Sequence, residues 1–199
     1  MAAFRPGGLS MTAELLNKIA LPHGAFILDV GCGCGDTVEY LKQAGFKAVG
    51  IDKAPGGRLR PYIIEAAAGA LPFEAAAFDA VICECCLSLF GSAEAALAEM
   101  ARVLKKEAFL LLSDLYSARG GARFTGEVRR LYTKTELEAL LAANGFITIA
   151  FEDRLYEMKS YAAQLIMDMG AEAFYKSMGG TACDFRAAGC SYYSLIAVK

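Results

Sequence analysis

Leu28-Asp29-Val30-Gly31-Cys32-Gly33-Cys34-Gly35, with Val49-Gly50-Ile51-Asp52 a short way on, decides how this chain folds. An apolar run over 25–30 ends in three glycines at alternate positions. A helix-like segment follows over 36–44, and Gly45 stops it. A second apolar run, 47–51, ends in an acid. Strand, glycine loop, helix, strand and acid form the front half of a nucleotide-binding α/β sheet. Glycines remove Cβ atoms where a ligand lies against the backbone. Asp52 falls where a carboxylate accepts hydrogen bonds from a ribose diol.

The spacing also bears on which nucleotide. Asp36 stands where Gly-x-x-Gly would put its last glycine. A dinucleotide fingerprint wants that glycine for close helix–strand packing and a bare helix N-terminus for pyrophosphate. An aspartate there is a good helix N-cap but a poor neighbour for pyrophosphate. S-adenosylmethionine carries no phosphate. It offers a ribose diol, an adenine, a zwitterionic methionine tail and a sulfonium cation, which an acidic rim suits better than it suits NAD.

Later segments point the same way. Residues 28–52 resemble motif I and the ribose acid of class I S-adenosylmethionine-dependent methyltransferases. Ala70-Leu71-Pro72-Phe73 with Phe78-Asp79-Ala80-Val81-Ile82 is similar to that family's "LPF…FDAV" segment. Met100-Ala101-Arg102-Val103-Leu104-Lys105 resembles its "RVLKPGG" element, and Tyr132-Thr133 to Gly145-Phe146 its late helix. The match runs in order from about residue 20 to about 151, and it looks most like the ubiquinone/menaquinone-biosynthesis-like (type 11) branch. The resemblance implies a Rossmann-like three-layer α/β/α sandwich. Its sheet is mostly parallel and seven-stranded, with an antiparallel last strand at the sheet's end. It implies a cofactor site of Asp29, Gly31, Cys32, Gly33, Gly35, Asp52 and Lys53. Ala67 and Ala68 hold adenine through their backbone, and a carbonyl at Cys83 faces the methionine moiety. Asp29 either meets the cofactor's amino group or orients the glycine loop.

Three departures stand out. About ten residues, including Pro55-Gly56-Gly57, separate strands 2 and 3, which barely accommodates a crossover helix. Ala67 stands where an acid often takes the adenine amino group. Lys106-Glu107 replaces the usual Pro-Gly after "RVLK".

The chain has 199 residues, 56% of them hydrophobic, enough for one domain. We divide it into an N-terminal helical segment (1–24), a cofactor-binding core (25–115) and an acceptor-side half (116–199). Net charge is −2 with no basic stripe, which argues against nucleic acid. The longest nearly apolar run, 80–90, contains Glu84 and is too short to span a membrane. The N-terminus lacks an apolar signal core. Seven cysteines, two of them inside the glycine loop, argue against a disulfide framework and for a reducing cytoplasm.

Periodicity predicts helices at 9–20, 92–103 (Ser92 as cap, Glu94 and Glu99 solvent-facing), 134–143 and 155–169. It predicts strands at 25–30, 47–51, 62–65, 80–83, 108–113, 146–151 and 192–198, with a polar loop over 117–125. His23 reads as a solvated turn residue. Cys83-Glu84-Cys85-Cys86 closes strand 4, where α/β sheets put their ligands. These thiols read as buried small hydrophobes; the sharper alternative is a metalloid or methyl-accepting site shared with Cys183 or Cys190. Cys83 and Cys85, two apart, are expected on one face. Glu84, Asp114 and Tyr116 are candidate bases by location alone, though methyl transfer from a sulfonium is mostly positioning. Arg5-Pro6-Gly7-Gly8 is placed to close over the cofactor with Arg5 near a carboxylate. The aromatics of 116–132 and 155–190 are expected to build the acceptor pocket. The function expected is methyl transfer to a small-molecule acceptor, with no metal. The alternatives are a cofactor-binding module without catalysis, or a thiol or metalloid methyltransferase.

Overall fold

The computed structural model describes residues 5–56, 60–126 and 128–199. Helix α1 (Gly8–Asn17) leads into β1 (Phe26–Val30), α2 (Asp36–Gln43), β2 (Lys47–Asp52) and β3 (Ile63–Glu65). Then come β4 (Phe78–Glu84), a 3-10 turn (Leu87–Leu89), α3 (Ala93–Val103) and β5 (Leu104–Ser117). A two-stranded ribbon, β6 (Ala122–Arg123) with β7 (Arg130–Leu131), precedes α4 (Lys134–Ala143) and β8 (Ile147–Asp153). The chain closes with α5 (Leu155–Met169), α6 (Ala171–Ser177), α7 (Ala182–Ala188) and β9 (Cys190–Val198).

The main sheet runs β3-β2-β1-β4-β5-β9-β8. Its first five strands are parallel, and β9 runs antiparallel to both neighbours. The antiparallel last strand is as expected, but it does not sit at the sheet's end: it inserts between β5 and β8. It pairs along both edges, with β5 and with β8, and every residue from Ser191 to Ala197 is buried, whereas Ile147 and Ile149 of the edge strand β8 stay exposed. No helix occurs between β2 and β3 among the described residues, and Gly57 lies outside them.

The family-like motifs prove to be pieces of one another's scaffolding. Arg102 of α3 donates to the carbonyls of Phe73 (2.8 Å) and Leu71 (3.0 Å), while Glu99 accepts from the Leu71 N–H at 2.7 Å. Glu99 is therefore half-buried rather than solvent-facing. Asp79 accepts from the Phe26 N–H and pairs with Lys105, tying β4 to the start of β1. Ser92 caps α3 as expected, accepting from the Ala95 N–H. Asp36 does not cap α2. Gly35, at φ 84°, is the cap, and Asp36 is the first helical residue.

Candidate active site

The glycine loop lies between the carboxyl ends of β1 and β2, beside the point where strand order reverses between β1 and β4. Open α/β sheets bind ligands at such switch points. Gly31, Gly33 and Gly35 all have positive φ. A Cβ at Gly31 would strike the Cys86 Sγ and one at Gly35 the Ile63 side chain, whereas one at Gly33 would meet nothing. Two of the glycines thus serve close packing, and Gly33 faces open space.

The loop's amides are largely turned inward. Gly31 and Cys32 donate to the Ile51 carbonyl at 2.8 and 3.0 Å, Gly35 to Cys32, and Gly33 to the Asp52 carboxylate at 2.9 Å. A phosphate-binding loop presents such amides to its ligand. Asp52 uses its other oxygen on the Ala54 N–H, 2.8 Å away. A carboxylate has about four acceptor positions, so each oxygen keeps capacity for a ribose hydroxyl. Lys53 is exposed in the bend that follows. Ala67 is exposed and Ala68 half-buried in the loop after β3, held beside Asp52 by the Ala66 N–H to the Asp52 carbonyl. Cys32 tucks its thiol against Gly50 rather than into the open site, and burial pushes its pKa up.

Asp29 is 2% exposed, and its Oδ2 has no hydrogen-bond partner. Burial, and next the charge of Glu84, push its pKa up to about 8. A buried unpaired carboxyl costs about 1–3 kcal/mol, so the site is suited to a cation. This is the fit that a methionine ammonium group requires.

Glu84 ends β4 and is buried. It accepts from Thr12 (2.8 Å) and Thr37 (3.2 Å), and it pairs with the Arg5 guanidinium at 2.7 Å. Asp114 accepts from the Ser88 amide and hydroxyl and from the Leu115 N–H, fixing the 3-10 turn; burial still pushes its pKa up to about 6. Tyr116 donates to Asp153, and its pKa rises to about 12 through burial and that hydrogen bond. All three candidate bases are therefore engaged in holding the structure.

The cysteines diverge. Because Cys85 takes φ 55°, it leaves the strand, and its thiol lies 3.1 Å from the Tyr192 hydroxyl. Cys83 instead meets Cys86, Sγ to Sγ 3.1 Å, and Cys86 donates to the Val30 carbonyl. Cys83 and Cys85 thus do not share a face: the left-handed residue breaks the alternation. The Cys83-x-x-Cys86 spacing was the available signal for this contact. Both are buried and all seven cysteines are free. Among the described residues no group of three His, Cys, Asp or Glu is arranged to hold a metal.

Over the carboxyl end of β4 opens a cavity of about 670 Å³. Its walls include Tyr161, Leu165 and Met169 of α5, Phe174 of α6, and Phe185 of α7, with Cys85 and Tyr192 from the sheet. Residues 155–190 supply the wall as expected. Residues 116–132 do not: Tyr116 and Tyr132 are core residues, and Phe124 stacks on Phe185 at 4.5 Å. Tyr156 is 81% exposed and points away. Helices α6 and α7 were not apparent from periodicity because each has seven residues. The Thr181–Asp184 capping box was the legible sign of α7.

A glycine loop, a ribose-ready acid and a buried unpaired carboxyl on a doubly wound sheet define a nucleoside-binding Rossmann-like domain. A sequence profile for the methyltransferase domain matches residues 28–112. A demethylmenaquinone methyltransferase of Renibacterium salmoninarum is 30% identical over 182 residues, covering 83% of this chain and 75% of that protein. The uncharacterized methyltransferase YodH of Bacillus subtilis is 32% identical over 124 residues, 56% of this chain, and the match spans about half of YodH (52%). In fold, the [4+2]-cyclase SpnF superposes with a TM-score of 0.75 at 23% identity, covering 96% of this chain and 80% of that one. The chain belongs to the class I S-adenosylmethionine-dependent methyltransferases, in the type 11 branch.

Proposed function

We propose that this protein transfers a methyl group from S-adenosylmethionine to a small apolar acceptor held under α5–α7. The observation that carries this reading is the apolar cavity past the end of β4, lined in part by Cys85, the residue that follows Glu84. Cavities of roughly 300–1,000 Å³ suit small ligands.

S-adenosylmethionine, when bound, supplies an electrophilic methyl group on a sulfonium. Asp52 accepts from the ribose hydroxyls while holding Gly33 and Ala54 in place. Asp29 takes the ammonium group on its unpaired oxygen. Gly33 leaves the ligand room against the loop, Gly31, Cys32 and Gly35 shape the loop that receives it, Lys53 flanks the ribose acid, and Ala67 and Ala68 offer backbone groups to adenine. The Cys83 carbonyl, near the end of β4, would face the methionine moiety. The α5–α7 wall orients the acceptor and excludes water from the sulfonium. With Glu84, Asp114 and Tyr116 already engaged, positioning rather than a base carries the reaction. The Renibacterium relative's name points to quinone-like acceptors, a class that such an aromatic, methionine-lined wall accommodates. The reading includes no nucleic-acid partner, consistent with net charge −2. Its compartment is a reducing cytoplasm, consistent with seven free thiols; no described helix is long and apolar enough to cross a membrane.

The test is methyl-labelled cofactor offered with a panel of apolar, ring-bearing acceptors, reduced naphthoquinones among them. Label is expected in an organic-extractable product. Tight cofactor binding with no transfer to any such acceptor would overturn the catalytic reading.

A further inference from the structure

The N-terminal strap, Arg5 to Gly8, is unexplained by the fold alone. It makes no strand pairing, yet its first described side chain is driven into the cofactor mouth. The Arg5 side chain is only 11% exposed. Through Nη2 it donates to Thr12 (2.6 Å) and Thr37 (3.0 Å) and pairs with Glu84 at 2.7 Å. Its Nε is buried with no partner. Pro6, the next residue, lines the acceptor cavity beside Cys85. The strap therefore lies between the two sites, and it meets α1 through Gly7 and Gly8, both at positive φ. A Cβ on Gly7 would collide with Met11 at 2.5 Å.

Two buried polar atoms are thus left without partners, one on an acid and one on a base, the Asp29 Oδ2 and the Arg5 Nε, and the charge of Glu84, the partner of Arg5, also acts on Asp29. Arg5 is the cation whose field reaches Asp29. Asp29 suits an ammonium. Arg5 has its charge partly offset by Glu84 but keeps an unused N–H, which suits a carboxylate. An α-amino acid carries both groups on one carbon. Accepting the reading of a bound S-adenosylmethionine, on which this rests, we propose that Arg5 selects the cofactor's α-carboxylate. Glu84, Thr12 and Thr37 are then the positioning residues that aim its guanidinium. The strap folds down on the amino-acid end of the cofactor and, through Pro6, completes the acceptor cavity. The two consecutive left-handed glycines give the strap its pivot.

The experiment compares the affinities of three compounds by calorimetry: S-adenosylmethionine, its decarboxylated form, and 5′-methylthioadenosine, which lacks the amino-acid end. The native protein is expected to prefer the intact cofactor to the decarboxylated form by about tenfold or more. Arg5→Ala is expected to erase that preference by weakening the intact cofactor alone, and Arg5→Lys to restore part of it. Binding of 5′-methylthioadenosine, equal in all variants, reports an intact nucleoside site. If Arg5→Ala weakens all three compounds alike, the strap is packing and the inference is overturned. If Arg5→Ala tightens the intact cofactor, Arg5 is a plug and the inference is equally overturned. Should Arg5→Ala fail to fold, the Arg5→Lys variant decides, since a charge without the fork geometry must still lose part of the preference. A native protein that binds none of the three compounds would instead bring down the proposed function itself.

Discussion

The two halves of this molecule solve opposite problems. The cofactor half is closed on itself but for the Asp29 Oδ2: the amides of Gly31, Cys32, Gly33 and Gly35 have partners within the chain, as do Asp79, Glu99, Arg102 and Asp114. The half proposed to take the acceptor, residues 116–199, is left incomplete. Helix α5 contributes no fully buried residue over its 15 residues, and its inner apolar side faces a cavity rather than a core. The profile match stops at Leu112, before this second half begins. A site for a fixed cofactor can be built from self-satisfied backbone, whereas a site for a varied acceptor is built from side chains that need the ligand to finish their packing.

The largest expected effect tests the closed half. Asp52→Ala should weaken the cofactor about tenfold to a hundredfold, since hydrogen bonds to a charged group contribute roughly 1.5–3 kcal/mol. It also frees the Gly33 and Ala54 amides, so far-ultraviolet dichroism should accompany the calorimetry. Unchanged affinity in a folded variant would take Asp52 out of the site.

The open half responds to filling. Ala162 of α5 lines the cavity and is small. Ala162→Trp should cut acceptor turnover by about tenfold or more and leave cofactor affinity within about twofold. Equal losses in both would mean that the halves are not separable, and the contrast between them would fail.

Proton linkage comes next. Asp29 faces Glu84, Arg5 and Asp52, and burial holds its pKa up to about 8. Below that pH the carboxyl is protonated, and an ammonium group beside it favours the ionised form. Cofactor binding at pH 7 should therefore release a proton, and affinity should rise as pH climbs toward about 8. Calorimetry in buffers of different ionisation enthalpy reads the proton directly, and Asp29→Asn should abolish the dependence. No proton release in the native protein would place the ammonium elsewhere.

The same contrast explains what the sequence disclosed. The strands around 25–30 and 47–51, the place of Asp52 at the end of β2 and the cap at Ser92 were legible because each follows from local pattern. The position of β9 was not, because burial on both faces and pairing on both edges look alike in one strand. The course of Cys85 was hidden for a different reason: a left-handed cysteine has no sequence signature. Arg5 was visible as a motif, but its partner Glu84 is 79 positions away, and only folding brings them together. The role of Asp29 was open between two readings, because the burial that leaves its Oδ2 unpaired arises only on folding.

The smallest effect concerns backbone strain. Glu107 sits at φ 59° in the place where the family pattern has glycine. It is exposed and far along β5 from both sites. A left-handed L-residue costs roughly 1–2 kcal/mol, and the extra freedom of glycine in the unfolded chain returns about 0.5–1 kcal/mol. Glu107→Gly should therefore stabilise the protein by roughly 0.5–1 kcal/mol, raising Tm by about 1–4 °C, with binding and turnover unchanged. Cys85 has the same conformation, φ 55°, but stands between the cofactor mouth and the acceptor cavity. Strain of this kind tends to gather at functional sites. Cys85→Gly should relieve it too, yet it removes the thiol that meets Tyr192, so turnover should fall while stability is kept. Unfolding curves and turnover measured on both variants separate the cases. If Cys85→Gly left turnover untouched, its strain would belong to the framework, like that of Glu107, and the boundary between the halves would lie beyond β4.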